Sequence, residues 1–264
     1  MFVVVLIELA TALDAEATAL AAALGGTAYE HRLRLLGGLP ACVLTTADAA
    51  LANRTVTEIR SRGHAAVLLD AARVTPSERM TAIRHFRLEP GAIVLEQPLP
   101  ARLASSEISV LLRAVHRTRV DTRAEVSKKS FSIGRAVMTG GLMTSKTTKH
   151  EQQSSTTESQ PVLYVFRSDG EPPWILRERG TNYASLGSRL NPSSMQNFLT
   201  TVQLIRELAP HAAYDERLLS LRVPSGAPLK RIGRDEETVT TSTTHALDLA
   251  AHALAQWLQQ SHQR

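Results

Sequence analysis

Residues Ser130 to Glu178 constrain the fold of this chain more than any other stretch, because they divide it into two halves of different character. Phe131 to Val137 alternates between apolar and polar residues, as a half-buried strand does, and Gly140-Gly141 ends the pattern. Thr147 to Gln160 then contains no apolar residue and cannot contribute to a core. We therefore predict a polar loop at residues 144–160.

The chain after this loop predicts an α+β module at residues 126–264, with antiparallel strands and packed helices. Pro161 to Phe166 and Trp174 to Leu176 read as a strand hairpin, and the tail from Thr244 to Gln260 as a helix. A helix beginning near Asn191 carries one apolar stripe, formed by Met195, Phe198, Leu199, Val202, Ile205 and Leu208.

The front half predicts a small α/β module at residues 1–97. Its apolar run Phe2 to Ile7 is far shorter than the roughly 20 residues of a membrane span, so we read it as a buried strand and expect a soluble, cytoplasmic protein. Alternating helix and strand patterns then give the element order βααβαβ up to Leu69. Pro76 to Gln97 extend this module: Met80, Ile83 and Phe86 predict one face of a further helix, and Ala92 to Leu95 predict a strand.

Three features of this module resemble the C-terminal domain of the bacterial ribosomal stalk protein. They are the opening Phe2-Val3-Val4-Val5-Leu6, the helix pair ending near Leu39-Pro40, and Ile59-Arg60-Ser61-Arg62-Gly63-His64 before an apolar strand. The resemblance covers residues 1–70 and implies a βααβαβ fold that serves as a docking platform in a bacterial protein. Stalk domains bind GTPase factors through helix lysines and a glycine-rich helix junction. The matching region, Thr27 to Arg34, lacks that pattern, so the resemblance assigns no binding residue.

The basic charge of the chain is concentrated in its middle. The formal net charge is +5, yet residues 101–150 alone hold ten Lys or Arg against three Asp or Glu, a local +7. We predict a basic linker helix at residues 98–125, with Ile108, Leu111, Leu112 and Val115 facing inward. The candidate polyanion-binding residues are Arg113, Arg117, Arg119, Arg123, Lys128, Lys129, Arg135, Lys146 and Lys149.

Such a cluster predicts salt-dependent attraction to nucleic acid or an acidic membrane surface, although a solvated face has the same composition. Between residues 87 and 163 the only aromatic residue is Phe131. Single-stranded nucleic acid is bound largely by stacking on aromatic side chains, so this scarcity argues against it and leaves contact with a phosphate backbone.

Other candidate chemistry is sparse, and we predict no cofactor and no catalytic residue. The single cysteine, Cys42, lies in an apolar segment and reads as a small core residue. Gly140 to Thr147 differs from a phosphate-binding loop by Ser145 in place of the second glycine, and no apolar helix follows it. His245, Asp248 and His252 have a spacing that could hold a metal, but the same spacing suits the wet face of a helix, and we predict no metal there.

Three functions remain open on this basis. The absence of a complete catalytic, metal or cofactor motif favours a non-enzymatic adaptor or regulatory binding protein that acts through protein–protein contacts. Polyanion binding through residues 113–149 is the first alternative. An enzyme whose site leaves no local signature in the sequence is the second.

Overall fold

A computed structural model describes residues 1–97, 100–131, 145–223, 225–232 and 236–262 of the chain. They form two compact units. The first contains residues 1–116, 160–224 and 243–264, and the second contains residues 117–159 and 225–242. The architecture belongs to the α+β class, as predicted. No helix in the described ranges is both long enough and apolar enough to cross a membrane.

The first unit begins with the predicted βααβαβ order. Its strands are β1 (Phe2–Glu8), β2 (Ala41–Thr46) and β3 (Ala65–Asp70), and its helices are α1 (Leu13–Leu24), α2 (Ala28–Leu36) and α3 (Ala49–Ser61). Both outer strands pair antiparallel with the central strand β1. Side chains alternate across a strand, so Val4 and Leu6 pack with the three helices while Val3, Val5 and Ile7 face another core. Burial on both faces explains the unbroken apolar run.

The same unit contains eight further strands or strand portions in two sheets. β5 (His85–Glu89), β6 (Ala92–Gln97) and β7 (Ala101–Ala104) form an antiparallel sheet. The other sheet joins β4 (Thr81–Ala82), β10 (Trp174–Arg177), residues 160–167 of β9 (Ser145–Arg167) and residues 108–116 of β8 (Ile108–Phe131). Strand β11 (Ala213–Asp215) pairs parallel with β8.

Helices cover both faces of this second sheet. One face packs with α4 (Ser194–Leu208) and the β5–β7 sheet, in a core that includes both Trp174 and Phe198. Helix α5 (Thr244–His262) lies between the other face and β1, since its buried residues share one cluster with both. Four buried alanines on α5, Ala250, Ala251, Ala253 and Ala255, let side chains approach it from both sides.

The second unit is a sheet of exposed or half-buried residues wherever its side chains are described. Its strands are residues 117–131 of β8, residues 145–159 of β9, β12 (Leu229–Ile232) and β13 (Glu236–Ser242). Strand β13 pairs antiparallel with both β12 and β8. Residues 153–159 of β9 are all exposed.

Three predictions of secondary structure from the sequence are wrong. The basic linker helix is strand β8, whose residues pack alternately against two cores, so its apolar positions suit a strand buried on both faces. The polar loop at 144–160 is strand over residues 145–160. The helix predicted around Met80, Ile83 and Phe86 is replaced by β4 and β5, while the strand at 92–95 is confirmed. Residues 145–147 of the segment that resembles a phosphate-binding loop, Gly140 to Thr147, lie in β9, and its other residues are outside the described ranges.

Candidate functional site

A cavity of about 690 Å³ in the first unit is the best-formed candidate site. This volume lies within the range of small-molecule binding sites. Helix α2, strand β2, the segment 221–223 and helix α5 supply most of its lining. The apolar lining side chains include Val5, Leu24, Val43, Leu44, Leu221, Val223 and Leu249.

His31 is the polar side chain of greatest interest in this lining, because it is only 5% exposed and lacks one hydrogen-bond partner. Its Nε2 lies 2.9 Å from the carbonyl oxygen of Gly25. A carbonyl can only accept, so Nε2 carries the proton and Nδ1 of the neutral ring is an acceptor. Nδ1 is buried and has no partner among the described residues. Nearly all buried polar atoms are bonded, so this exception points to a missing donor.

The local sequence explains why His31 is held in this position. Helix α2 begins at a capping box in which Glu30 Nα–H donates to the Thr27 hydroxyl and Glu30 accepts from the Thr27 backbone, at 3.2 and 2.8 Å. The preceding Gly25 and Gly26 both have positive φ, which turns the Gly25 carbonyl back towards the helix that follows. These two features fix the first turn of α2 and therefore the imidazole.

Three further charged side chains line the cavity. Arg34 and Arg222 form no ion pair with any described residue, and the only short contact of the Arg34 guanidinium is a 3.4 Å bond to the carbonyl of Val43. Hydrogen bonds from Thr27, and then the charge of Arg34, lower the pKa of Glu30, which keeps its carboxylate ionised. The lining therefore has two guanidinium groups against one carboxylate.

The loop after α2 holds Arg222 beside this helix. The backbone N–H of Arg222 donates to the carbonyl of Gly37 at 2.8 Å. A Cβ atom on Gly37 would lie 2.6 Å from the Arg222 carbonyl oxygen, closer than any side chain can approach. Only glycine permits this contact between the two backbones.

Cys42 also lines the cavity and is exposed, which corrects the prediction of a core residue. It lies on β2, where Ala41 and Val43 are buried and the residue between them points the other way. As the chain's single cysteine, it gives the cavity a specific chemical label.

The opposite face of α2 presents an apolar stripe. Tyr29, Leu33 and Leu36 are 65%, 51% and 55% exposed. Their spacing of four and three residues places them along one side of the helix. A single exposed leucine is ordinary, but three neighbours on one short helix suggest a contact surface.

A second polar cluster lies deep in the unit, around Asp248 of α5, which is fully buried. One carboxylate oxygen accepts from the Ser77 backbone N–H at 2.8 Å, and the other accepts from the hydroxyls of Ser77 and Tyr164, the latter at 2.8 Å. Since Tyr164 donates to Asp248, its hydroxyl accepts from Nε2 of His116, 2.7 Å away. Arg177 donates to the Ser77 carbonyl at 2.6 Å.

Burial shifts the titration of this cluster. Desolvation, followed by the charge of Arg177, lowers the pKa of His116 to about 4. Burial and the neighbouring Asp248 carboxylate raise the pKa of Tyr164 well above its usual value. Burial also raises the pKa of Asp248, although hydrogen bonds from Ser77 and Tyr164 oppose the shift. The cluster is closed, because the described donors and acceptors bind one another.

The weak metal candidates are not brought together. His245 is exposed and Asp248 is committed to Ser77 and Tyr164, so the predicted wet helix face is wrong at Asp248. His252 Nε2 accepts from the backbone of Thr75 at 3.2 Å, and Nδ1 donates to the Asp248 carbonyl at 2.8 Å. In the described ranges no three His, Cys, Asp or Glu residues are grouped so that they could hold a metal.

The candidate polyanion-binding residues follow strand β8 rather than a helix. Arg113 bonds to Glu216 at 2.7 Å, and Arg119 contacts Asp121 at 3.0 Å. Arg117 and Arg123 are exposed. The structure does not describe the side chains of Lys128 and Lys129 in β8 or of Lys146 and Lys149 in β9, and Arg135 lies outside the described residues.

Comparisons with protein-family models, curated proteins and solved structures found no match for this chain. The resemblance to the ribosomal stalk domain therefore stays a prediction. Sequence reasoning did not single out His31 as a candidate site residue. The available signal was the pair Gly25-Gly26 directly before Thr27 and Glu30, which together predict a capped helix start that buries the next side chain.

Proposed function

We propose that this protein is a non-enzymatic regulatory binding protein, located in the cytoplasm, that takes a small molecule into the cavity beside α2. The observation that carries the proposal is a cavity with a largely aliphatic lining that includes His31, a buried side chain whose Nδ1 has no partner among the described residues. A bound molecule would supply the missing hydrogen-bond donor and cover the aliphatic lining.

Helix α2 is suited to report occupancy of the cavity. Its inner face contributes Glu30, His31 and Arg34 to the lining, and its outer face is the apolar stripe of Tyr29, Leu33 and Leu36. Glycines with positive φ flank it, at 25, 26 and 38. Such residues absorb backbone rotation at low cost, so a ligand that moves α2 also moves the stripe.

Binding of an uncharged apolar dye tests the cavity. Nile red should bind the intact protein with increased, blue-shifted fluorescence. Ala246→Trp places a large ring at a lining residue and should abolish this signal. Ala50→Trp adds the same ring at an exposed position of α3 and should leave it unchanged. Equal dye binding by the wild-type protein and A246W would refute the cavity as a binding site.

A second part of the proposal is that the stripe on α2 binds a protein segment that is apolar and acidic. Arg32 lies next to Leu33 in sequence and is exposed, in a pair with the exposed Asp14, so a carboxylate on the partner would face a cation. A photo-crosslinking amino acid at position 33, compared with one at the equally exposed Leu190, tests this surface. The expected adduct forms only from position 33 and maps to an acidic, apolar segment. Equal adducts from both positions would contradict it.

Polyanion binding remains an alternative proposal, supported by the geometry of β8. Residues 117, 119, 121 and 123 share one face of the strand because they are two apart, which groups three arginines with Asp121. Charge reversal of Arg117, Arg119 and Arg123 should then weaken binding to heparin at low salt. Binding that is indifferent to both the substitutions and added salt would remove this alternative.

A further inference from the structure

The geometry points to a specific ligand class for the cavity beside α2: an aliphatic carboxylate that carries a hydroxyl or amide donor near its head group, of which a 3-hydroxy fatty acid is the simplest example. The inference rests on the proposed function and specifies its ligand. Three separate properties of the lining lead to it.

The first property is the chemistry of the apolar wall. The side chains of Val5, Leu24, Val43, Leu44, Leu221, Val223 and Leu249 are all aliphatic. No Phe, Tyr or Trp ring is present among the described residues that line the cavity, and the imidazole of His31 is largely buried in its wall. Planar ligands such as nucleobases gain much of their binding from stacking on rings, which this wall does not offer. A flexible hydrocarbon chain gains from burial alone.

The second property is the sign of the charge. The titratable and charged groups in the lining are Glu30, His31, Arg34, Cys42 and Arg222. Glu30 is already engaged by the Thr27 backbone, while neither guanidinium has a carboxylate partner among the described residues. Arginine binds a carboxylate through two parallel N–H groups, so two such side chains beside an apolar wall suit an anionic head group on an aliphatic chain.

The third property is the free acceptor on His31. With Nε2 donating to Gly25, a neutral ring offers Nδ1 as a lone pair. Nδ1 is closed to solvent in the structure, so a ligand reaches it only when α2 shifts, which the flanking glycines with positive φ allow. A carboxylate has only acceptors and cannot satisfy it. A hydroxyl or amide N–H on the ligand can, which distinguishes this ligand class from a plain fatty acid.

Four ten-carbon probes separate these properties: 3-hydroxydecanoate, decanoate, 1-decanol and decyltrimethylammonium, each kept below its micelle concentration. Titration calorimetry gives the affinities, and mass spectrometry follows the alkylation of Cys42 by N-ethylmaleimide. We expect 3-hydroxydecanoate to bind most tightly and to slow the alkylation most. Decanoate should bind about fivefold more weakly and decanol at least about tenfold more weakly. The cation should not bind.

Variants assign the contacts. The double change Arg34→Gln and Arg222→Gln should weaken decanoate binding about tenfold and leave decanol binding unchanged. Arg32→Gln removes the same charge from α2 at a residue that does not line the cavity, and it serves as the control. His31→Leu should make the affinities for decanoate and 3-hydroxydecanoate equal. Thermal unfolding of each variant shows whether it is folded.

The outcomes separate the two proposals. If decanol binds as tightly as 3-hydroxydecanoate, or if the double variant binds decanoate normally, the ligand class is wrong and the cavity remains a binding site. If Nile red binds but no carboxylate does, the ligand class is again wrong. If neither Nile red nor any of these probes binds or slows the alkylation, the proposed function fails with it.

Discussion

The surroundings of Asp248 and of His31 show two ways of burying a polar side chain in one compact unit. The Asp248 carboxylate accepts three hydrogen bonds, and one of its donors, Tyr164, in turn accepts from His116. The His31 ring is almost as buried, yet one of its two nitrogens has no partner among the described residues. The first arrangement is complete as it stands, whereas the second lacks a donor.

The difference teaches that burial alone does not identify a functional residue. Asp248, His116 and Tyr164 have shifted pKa values, which often mark active sites. However, these three side chains form hydrogen bonds with one another and with Ser77. Their bonds therefore hold α5 to the sheet and to the segment at Ser77. Glu16 is a further example, since Arg62 and His64 both donate to its buried carboxylate. A site for a ligand needs an unused group.

Replacing Asp248 should produce the largest effect. Asp248→Ala leaves the Ser77 and Tyr164 donors buried without an acceptor, so we expect the free energy of unfolding to fall by about 3–5 kcal/mol. Urea denaturation measures this loss. Asp14→Ala removes an exposed carboxylate paired with Arg32 and should cost less than about 1 kcal/mol. Similar losses for both variants would mean that the Asp248 cluster contributes no special stability.

Acidification should weaken the same cluster. The pKa of His116 is about 4 when folded and about 6.5 when unfolded, so the unfolded chain binds more protons between these values. Stability is then complete above pH 6.5 and falls by about 3 kcal/mol as the pH drops to 4. His252, whose pKa burial also lowers, acts in the same direction, while the raised pKa of Asp248 opposes it near pH 4.

Urea midpoints between pH 8 and pH 5 test this pH dependence, with His116→Gln as the comparison. Glutamine retains an N–H donor for Tyr164 but does not titrate, so its curve should be flatter. An identical pH dependence in the wild type and H116Q would show that His116 does not cause it.

Tyr164→Phe should have an intermediate effect. It removes only the hydroxyl that donates to Asp248 and accepts from His116, and it keeps the ring in the core. We expect a loss of about 1–2 kcal/mol, measured by urea denaturation. A change near zero would indicate that Asp248 and His116 pair directly once the hydroxyl is gone.

His31→Leu should have the smallest effect on the ligand-free protein. The change removes one bond to Gly25 but also removes the unpartnered Nδ1, and these contributions oppose each other. The free energy of unfolding should therefore change by less than about 1 kcal/mol. A loss as large as that of D248A would place His31 with the structural clusters and remove the central reason for a ligand.

The sequence predicted correctly those helices and strands in which the spacing of apolar residues matches a single type of secondary structure. The three strands and three helices up to Asp70, the strand pair around Trp174, and the helices at 194 and 244 are confirmed. The sequence misled where a strand is buried on both faces, because Ile108, Leu111 and Leu112 fit helical spacing equally well. The polar strand at 145–160 was missed because its formation depends on backbone pairing rather than on apolar residues.

The candidate site was harder to predict because it depends on contacts between distant segments. Cys42 sits in an apolar run, and only the alternation of a strand at the sheet edge exposes it. Arg222 approaches α2 only through the backbone bond to Gly37, about 185 residues earlier in the chain. The role of Asp248 depends on Ser77 and Tyr164, which no local pattern links to it.

The position of α5 between β1 and the second sheet governs the order in which the nascent chain can fold. Val3, Val5 and Ile7 pack in one cluster with Leu247 and Leu254, so β1 waits for a helix that is synthesised about 240 residues later. At roughly 5–20 residues per second, that delay is roughly 10 to 50 seconds. During this time one apolar face of β1 lacks the side chains of α5 that cover it in the folded unit.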